Sequence, residues 1–170
     1  EILRTGAAMM DFAACAKGGV LGLDHAGLPP RTVLSGRQLP GSLLVVDTMA
    51  PRSTASIIAT KAARRKGKEL GIMRYLGKSQ EIARQMIQHL QTQQVDPEIL
   101  GGYLTQVQRT LKDDLRSSTP TIDHGLEVLC EMGSYGGKLT GTGHGGAFFA
   151  LMPARNLDSS CVAMRRLGLS

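Results

Sequence analysis

Ten consecutive residues, Lys138-Leu139-Thr140-Gly141-Thr142-Gly143-His144-Gly145-Gly146-Ala147, carry the densest chemical signal in the chain. Four glycines separated by small or polar side chains let a backbone approach a ligand closely and adopt φ values that other residues resist. The apolar run Ala147 to Met152 follows at once and reads as a buried strand. A glycine-rich loop feeding a core strand suits phosphate handling, because N–H groups freed from ladder pairing form an anion-binding nest. The spacing matches neither GxGxxG nor GxxxxGK[ST]. A plain tight connection between two strands is the competing reading of the same residues.

The order Lys-Leu-Thr-Gly-Thr-Gly-x-Gly-Gly resembles the third conserved motif of the GHMP kinases, the superfamily of galacto-, homoserine, mevalonate and phosphomevalonate kinases. Its Lys-Leu-Thr-Gly opening is most like the mevalonate kinases. Upstream, Ser118-Thr119-Pro120-Thr121-Ile122-Asp123 and Gly133-Ser134-Tyr135-Gly136-Gly137 lead into Lys138 with similar spacing. Leu43-Leu44-Val45-Val46-Asp47-Thr48, Pro51 and Ser53-Thr54 resemble the strand and helix start that open the C-terminal domain of those kinases. Asp11 stands seven and eight residues before Gly18-Gly19, similar to the segment that carries the superfamily's catalytic base. The resemblance covers most of residues 8–152.

What it implies is a small-molecule kinase that transfers the γ-phosphate of ATP, with Mg²⁺, to a hydroxyl of a mevalonate-like substrate of isoprenoid precursor synthesis. Asp11 would orient or deprotonate the attacking hydroxyl. Lys138, Thr140, Gly141, Thr142, Gly143, His144, Gly145 and Gly146 would lie against the phosphates, and Thr54 would reach the substrate. Phosphoryl transfer needs mostly positioning and charge neutralisation, so so sparse a set is chemically sufficient. The chain also departs from the pattern. Asp11 has Met10 and Phe12 as neighbours instead of a Pro-Ser-Gly run and an asparagine, and His144 stands where glycine or arginine is usual. The alternative is therefore a catalytically inactive, kinase-derived structural or assembly component, such as part of a ribonucleoprotein.

Other chemistries find little support. Asp24-His25 and Asp123-His124 are adjacent pairs and not ligand spacings, and nothing suggests a His/Cys metal site or a Ser-His-Asp triad. Cys15, Cys130 and Cys161 are odd in number with no CxxC pair, which points away from a disulfide scaffold and towards buried thiols in a reducing compartment. That compartment would be the cytoplasm or an organelle matrix such as the mitochondrial one. No apolar run approaches the roughly 20 residues of a membrane span.

A net charge of +6 with pI near 9.6 suits an anionic partner. The positive charge is densest at Lys61, Arg64, Arg65, Lys66 and Lys68. Such a cluster can touch RNA phosphates, but no aromatic residue interleaves to stack bases. A solvated helix end, its cations facing the negative pole of the dipole, is the simpler reading. A homodimer is left open.

The elements that must hold these residues form an α+β domain. Apolar runs predict strands at 20–23, 42–46 and 147–152, with 24–42 loop-like from its prolines and glycines. Ser53 caps a helix with Ala55, Ile57, Ile58 and Ala62 on one face. A second helix over about 69–94 is interrupted or re-capped near Gly77 and Ser79. Asp96-Pro97 and Thr119-Pro120 each set a cap followed by proline in the first turn. The helix after Asp96 carries Leu100, Leu104, Val107 and Leu111 on one stripe, and the one after Thr119 ends at Gly133. A last helix spans about 156–166. Three strands and about five helices make a small antiparallel sheet covered on one side, like the GHMP kinase C-terminal domain. By the resemblance, residues 1–40 end an N-terminal kinase domain and 41–170 form the C-terminal one, truncated at both ends. With no tryptophan, three phenylalanines and eight methionines, its core must be aliphatic.

Overall fold

The computed structural model describes residues 15–16, 18–22, 31–34 and 39–170; Asp11 and His25 lie outside them. The elements run β1 (Val20–Gly22), β2 (Arg31–Leu34), β3 (Ser42–Asp47), α1 (Thr54–Lys66), α2 (Leu70–Leu90), α3 (Pro97–Asp113), α4 (Pro120–Glu131), β4 (Gly136–Leu139), β5 (Ala147–Met152) and α5 (Leu157–Arg166). β1 and β2 form an antiparallel hairpin of their own. The main sheet is antiparallel in the order β3-β5-β4, with Val46 opposite Phe148 and Leu139 opposite Phe148 on the other side.

Strand alternation divides this sheet into two faces. Leu44, Val46, Phe148, Ala150, Met152 and Leu139 point to one face and are buried against Ile122 and Leu129 of α4, Met164 of α5 and Leu111 of α3. Burying each of these larger side chains contributes roughly 1.5–3 kcal/mol. The second face is only partly covered. Leu151 and Phe149 pack against Leu90, Leu100 and Leu104, where α2 ends and α3 begins, while Leu43 and Val45 stay 47% and 62% exposed. The sheet is thus covered fully on one side and partly on the other, where one-sided cover was expected.

The capping signals act as their residue types dictate. Asp96 accepts from the N–H groups of Glu98 (2.8 Å) and Ile99 (3.4 Å), and Thr119 from that of Ile122 (3.3 Å). Gly133, at φ +83°, ends α4 while its N–H donates to Cys130 O and that of Ser134 donates to Leu129 O. Those two bonds satisfy carbonyls the helix end leaves orphaned. α2 is continuous through Gly77 and Ser79, because an isolated glycine costs a helix interior only about 1 kcal/mol and keeps its N–H in the ladder.

Two strands were hidden from the pattern. β2 lies inside the stretch read as loop. β4 is Gly-Gly-Lys-Leu, and glycine ordinarily argues against a strand. Here its glycines have a purpose. A Cβ on Gly136 would collide with the Gly101 carbonyl of α3, and one on Gly101 with the Tyr135 carbonyl. The helix therefore lies directly along the edge strand, and Gln108 Oε1 accepts from the buried Leu139 N–H at 2.9 Å. That covers an edge which would otherwise present unpaired backbone groups. Two further expectations change. α1 buries no residue, so its apolar face is a weak one. Cys15 and Cys130 are exposed and Cys161 is half-buried, where buried thiols were expected. Cys130 falls on the outer side of α4, one position past the buried Leu129.

Replacing Gly101 with alanine should destabilise the chain by about 3 kcal/mol, because the obstacle is backbone and cannot rotate away. Gly102→Ala is the matched control: no atom lies within 4 Å of its Cβ position. It should be neutral or stabilising by up to about 1 kcal/mol. Denaturant midpoints at unchanged m-value distinguish the two.

Candidate functional site

The glycine-rich segment connects β4 to β5 as a loop of unusual backbone course. Gly141, Gly143, His144, Gly145 and Gly146 have φ of +69°, +76°, +58°, +113° and +72°. Five positive values in six residues explain the glycine density directly, since side chains with a Cβ resist that region. Thr140 N–H donates to Ala147 O (3.0 Å) at the loop's base, and Thr48 N–H donates to Gly146 O (2.9 Å) from the end of β3. His144 N–H donates to Ser117 O (2.7 Å). Gly143 lies so close to Ser117 that a Cβ would meet that same carbonyl oxygen. The close approach at Gly143 is therefore made to the chain itself.

The carbonyl edge of the loop faces cations. Lys61 Nζ donates to Thr142 O at 2.6 Å, and Arg52 Nη1 donates to Gly145 O at 3.0 Å and to Gly143 O at 3.3 Å. The Arg52 guanidinium also lies against Gly141 and Gly146, in the space a side chain at either position would need. Arg64 donates to both carboxylate oxygens of Glu69 (2.7 Å each) and to Leu115 O (2.8 Å). The basic cluster of α1 is thus divided. Lys61 and Arg64 turn inward and hold structure, where a uniformly solvated helix end was expected, while Arg65, Lys66 and Lys68 are exposed. Burial, then the nearby Arg64 charge, lowers the Lys61 pKa.

Beside the loop, Arg52, Ser53, Ser56, Thr60 and His144 line an open concavity of about 340 Å³. His144 presents an exposed imidazole to it. Desolvation against the loop, followed by the charges of Lys61 and Arg64, holds that imidazole below the ordinary histidine pKa. The structure gathers most of the residues singled out from sequence into this region, but not all. Lys138 belongs to the second face of the sheet: its Nζ donates to Leu139 O at 2.6 Å and sits 5.2 Å from the centre of the Phe149 ring, and burial lowers its pKa. Thr54 is exposed at the first turn of α1 and does not line the concavity. Thr142 Oγ1 and Ser117 Oγ are both buried with no partner among the described residues. Sequence reading missed Arg52, Lys61 and Ser117 as neighbours of the loop. Their contacts span 91 and 81 residues for the two cations, and no local signal encodes such a distance.

The depressed His144 pKa has a direct consequence for stability. As pH falls below about 6.5 the unfolded chain takes up this proton before the folded one does, so stability is lost through that window. His144→Asn retains a residue that tolerates positive φ and removes the titration. Melting temperature measured from pH 7.5 to 5 should fall less steeply in the variant than in the wild type.

No protein-family model matches the chain. The galactokinase of Streptomyces coelicolor is 26% identical over 179 aligned positions, covering 86% of this chain and 46% of that protein. Among solved structures, the Lin0012 protein of Listeria innocua superposes with a TM-score of 0.74 at 20% identity over 83% of this chain and 40% of its own. The mevalonate kinase of L. major, solved with R-mevalonate, superposes with a TM-score of 0.66 at 22% identity, over 73% of this chain and 37% of its own. The chain spans under half the length of each of these proteins. In sequence and in fold it is GHMP-kinase-like, and its described part has the architecture of the GHMP kinase C-terminal domain.

Proposed function

We propose that this chain is the C-terminal portion of a small-molecule kinase that moves the γ-phosphate of ATP to a hydroxyl of a mevalonate-like substrate. The observation that carries the reading is the 141–146 loop, with five positive φ values and its carbonyls engaged from outside by Arg52 and Lys61. A loop held that way can turn N–H groups towards phosphate oxygens at fixed cost, and preorganised donors are the main currency of phosphoryl-transfer catalysis. The residues fit a nucleotide phosphate in charge as well: Arg52 and Lys61 flank the loop as cations, and no carboxylate of the described residues pairs with either. Among the described residues no cluster of three His, Cys, Asp or Glu could hold a metal ion, so Mg²⁺ is assigned to the nucleotide's phosphates, where it neutralises developing charge.

In this reading Gly141, Gly145, Gly146 and Thr142 face the phosphates, and Gly143 sets the loop's depth against Ser117. The role of Asp11 as the group that orients or deprotonates the substrate hydroxyl rests on the sequence resemblance. Lys138 supports the sheet under the loop through Phe149. Galactokinase as the sequence relative leaves a sugar hydroxyl as the second choice of acceptor. An inactive assembly component is less well supported, since a site without a ligand has no use for so many positive-φ residues at one bend.

Titration of the full-length protein with ATP, with and without Mg²⁺, should give saturable Mg²⁺-dependent binding; a flat trace removes the kinase reading. Asp11→Asn should then lower turnover by about two orders of magnitude or more, the scale of a lost general base. ATP affinity should be unchanged.

A further inference from the structure

Arg52 is a residue that neither motif nor spacing marks, yet it holds two of the loop's carbonyls. One nitrogen, Nη1, bridges two carbonyls, of Gly143 and Gly145. The flat guanidinium covers Gly141 and Gly146, so a side chain at either would have to displace it. Lys61, on α1 itself, takes the carbonyl that precedes these two, that of Thr142. Three of the loop's carbonyls are therefore held by two cations, one on α1 and one just before its cap. Neither cation pairs with a carboxylate of the described residues, whose five ion pairs involve Arg64, Arg74, Lys78, Arg84 and Lys112.

A loop of glycines is entropically costly to hold in one conformation, because glycine has more unfolded and alternative states to lose than any other residue. Something must fix it. Charge-assisted bonds to carbonyls are roughly twice as strong as neutral ones. A planar guanidinium also adds direction, which a lysine ammonium lacks. Cations on the carbonyl side leave the N–H side of two of these peptides, those of Gly143 and Gly146, for an anion and raise the potential there, while the third N–H, that of His144, is spent on Ser117 O.

We propose that Arg52, assisted by Lys61, is the positioning residue of the 141–146 loop: it clamps the carbonyl edge so that the N–H edge is fixed for an anionic ligand. The last clause rests on the kinase reading; the clamp itself does not.

Hydrogen exchange of peptides spanning 140–147, measured on the full chain, reads the clamp without any ligand. Arg52→Ala should accelerate exchange in that segment by about tenfold or more, the scale of a lost charge-assisted pair. The rest of the chain should be unchanged. Arg52→Lys should recover little, since a compact ammonium has no flat face to cover Gly141 and Gly146 while it holds the carbonyls. Guanidinium ion at low, non-denaturing concentration should slow the loop again in Arg52→Ala, and potassium should not. Unchanged exchange in the loop overturns the clamp, as does acceleration spread evenly over the chain, which would mean plain loss of stability. Loop-specific acceleration in a protein whose wild type binds no ATP upholds the clamp and removes the kinase reading instead. Lys61→Met, which leaves Arg52 in place, should accelerate the same peptides less.

Discussion

The contact of Gly101 with Gly136 sets how near α3 can lie to the sheet, and much of the domain follows from that distance. With two hydrogens in place of side chains, the helix backbone reaches the edge strand itself. Gln108, two turns along the same helix, is then at the right depth to accept from Leu139 N–H, and its amide nitrogen donates to Ser118 Oγ at 2.9 Å. Ser118 in turn donates to Asp123 (2.6 Å), whose other oxygen pairs with Lys112 at 3.0 Å. One chain of polar contacts thus ties α3, the strand before the glycine loop and the first turn of α4. Removing one member would leave a buried group unpaired, at about 1–3 kcal/mol. The Lys112 pair, half-exposed, contributes far less on its own.

The loop inherits its position from this arrangement and its conformation from the opposite side. β4 and α3 deliver Thr140, and Ser117, just beyond α3, accepts from His144 N–H. Arg52 and Lys61 hold the carbonyls from α1 and its approach. α1 buries nothing, so its attachment does not come from an apolar face. Arg64, with Glu69 and the Leu115 carbonyl, and Lys61, with the loop, make up the polar attachment instead. The helix least supported by hydrophobic packing is the one that carries the cations nearest the candidate site, a division expected where binding and stability draw on different contacts.

Much of this was legible in the residues. Asp96-Pro97, Thr119-Pro120 and Gly133 are local devices, and each ends or starts a helix at its own position because the interaction spans only two or three residues. The apolar runs of β3 and β5 announce a sheet for the same reason. β4 was hidden because its glycines answer to a helix more than thirty residues away, and glycine in a strand reads as loop unless that partner is known. The thiols misled because α4 turns through 100° per residue, so Cys130 faces out while Leu129 beside it is fully buried. The loop itself was the clearest feature of the sequence. What holds it was not, since an arginine before a helix cap looks like any surface arginine until the fold brings a carbonyl to it.

His144 shows how the sequence departure and the geometry are reconciled. In the motif this position is usually glycine, and a histidine there reads as decay if every glycine in the loop is required by space. Space, however, requires only some of them. A Cβ at Gly143 would meet the Ser117 carbonyl and one at Gly146 would meet the Arg52 guanidinium, whereas Gly145 has Ala50 Cβ at 3.2 Å and Gly141 only the edge of a flexible arginine at 3.3 Å. At position 144 the cost is conformational: φ of +58° lies in the left-handed region, which costs an ordinary L-residue roughly 1–2 kcal/mol. Histidine is among the few side chains enriched there. Its N–H is bonded to Ser117 and its ring is exposed to the concavity, so the substitution adds a polar group at the rim and leaves the loop's course intact. Gly143, the glycine that an immovable backbone carbonyl demands, is present, and the one that was replaced is one the fold could spare.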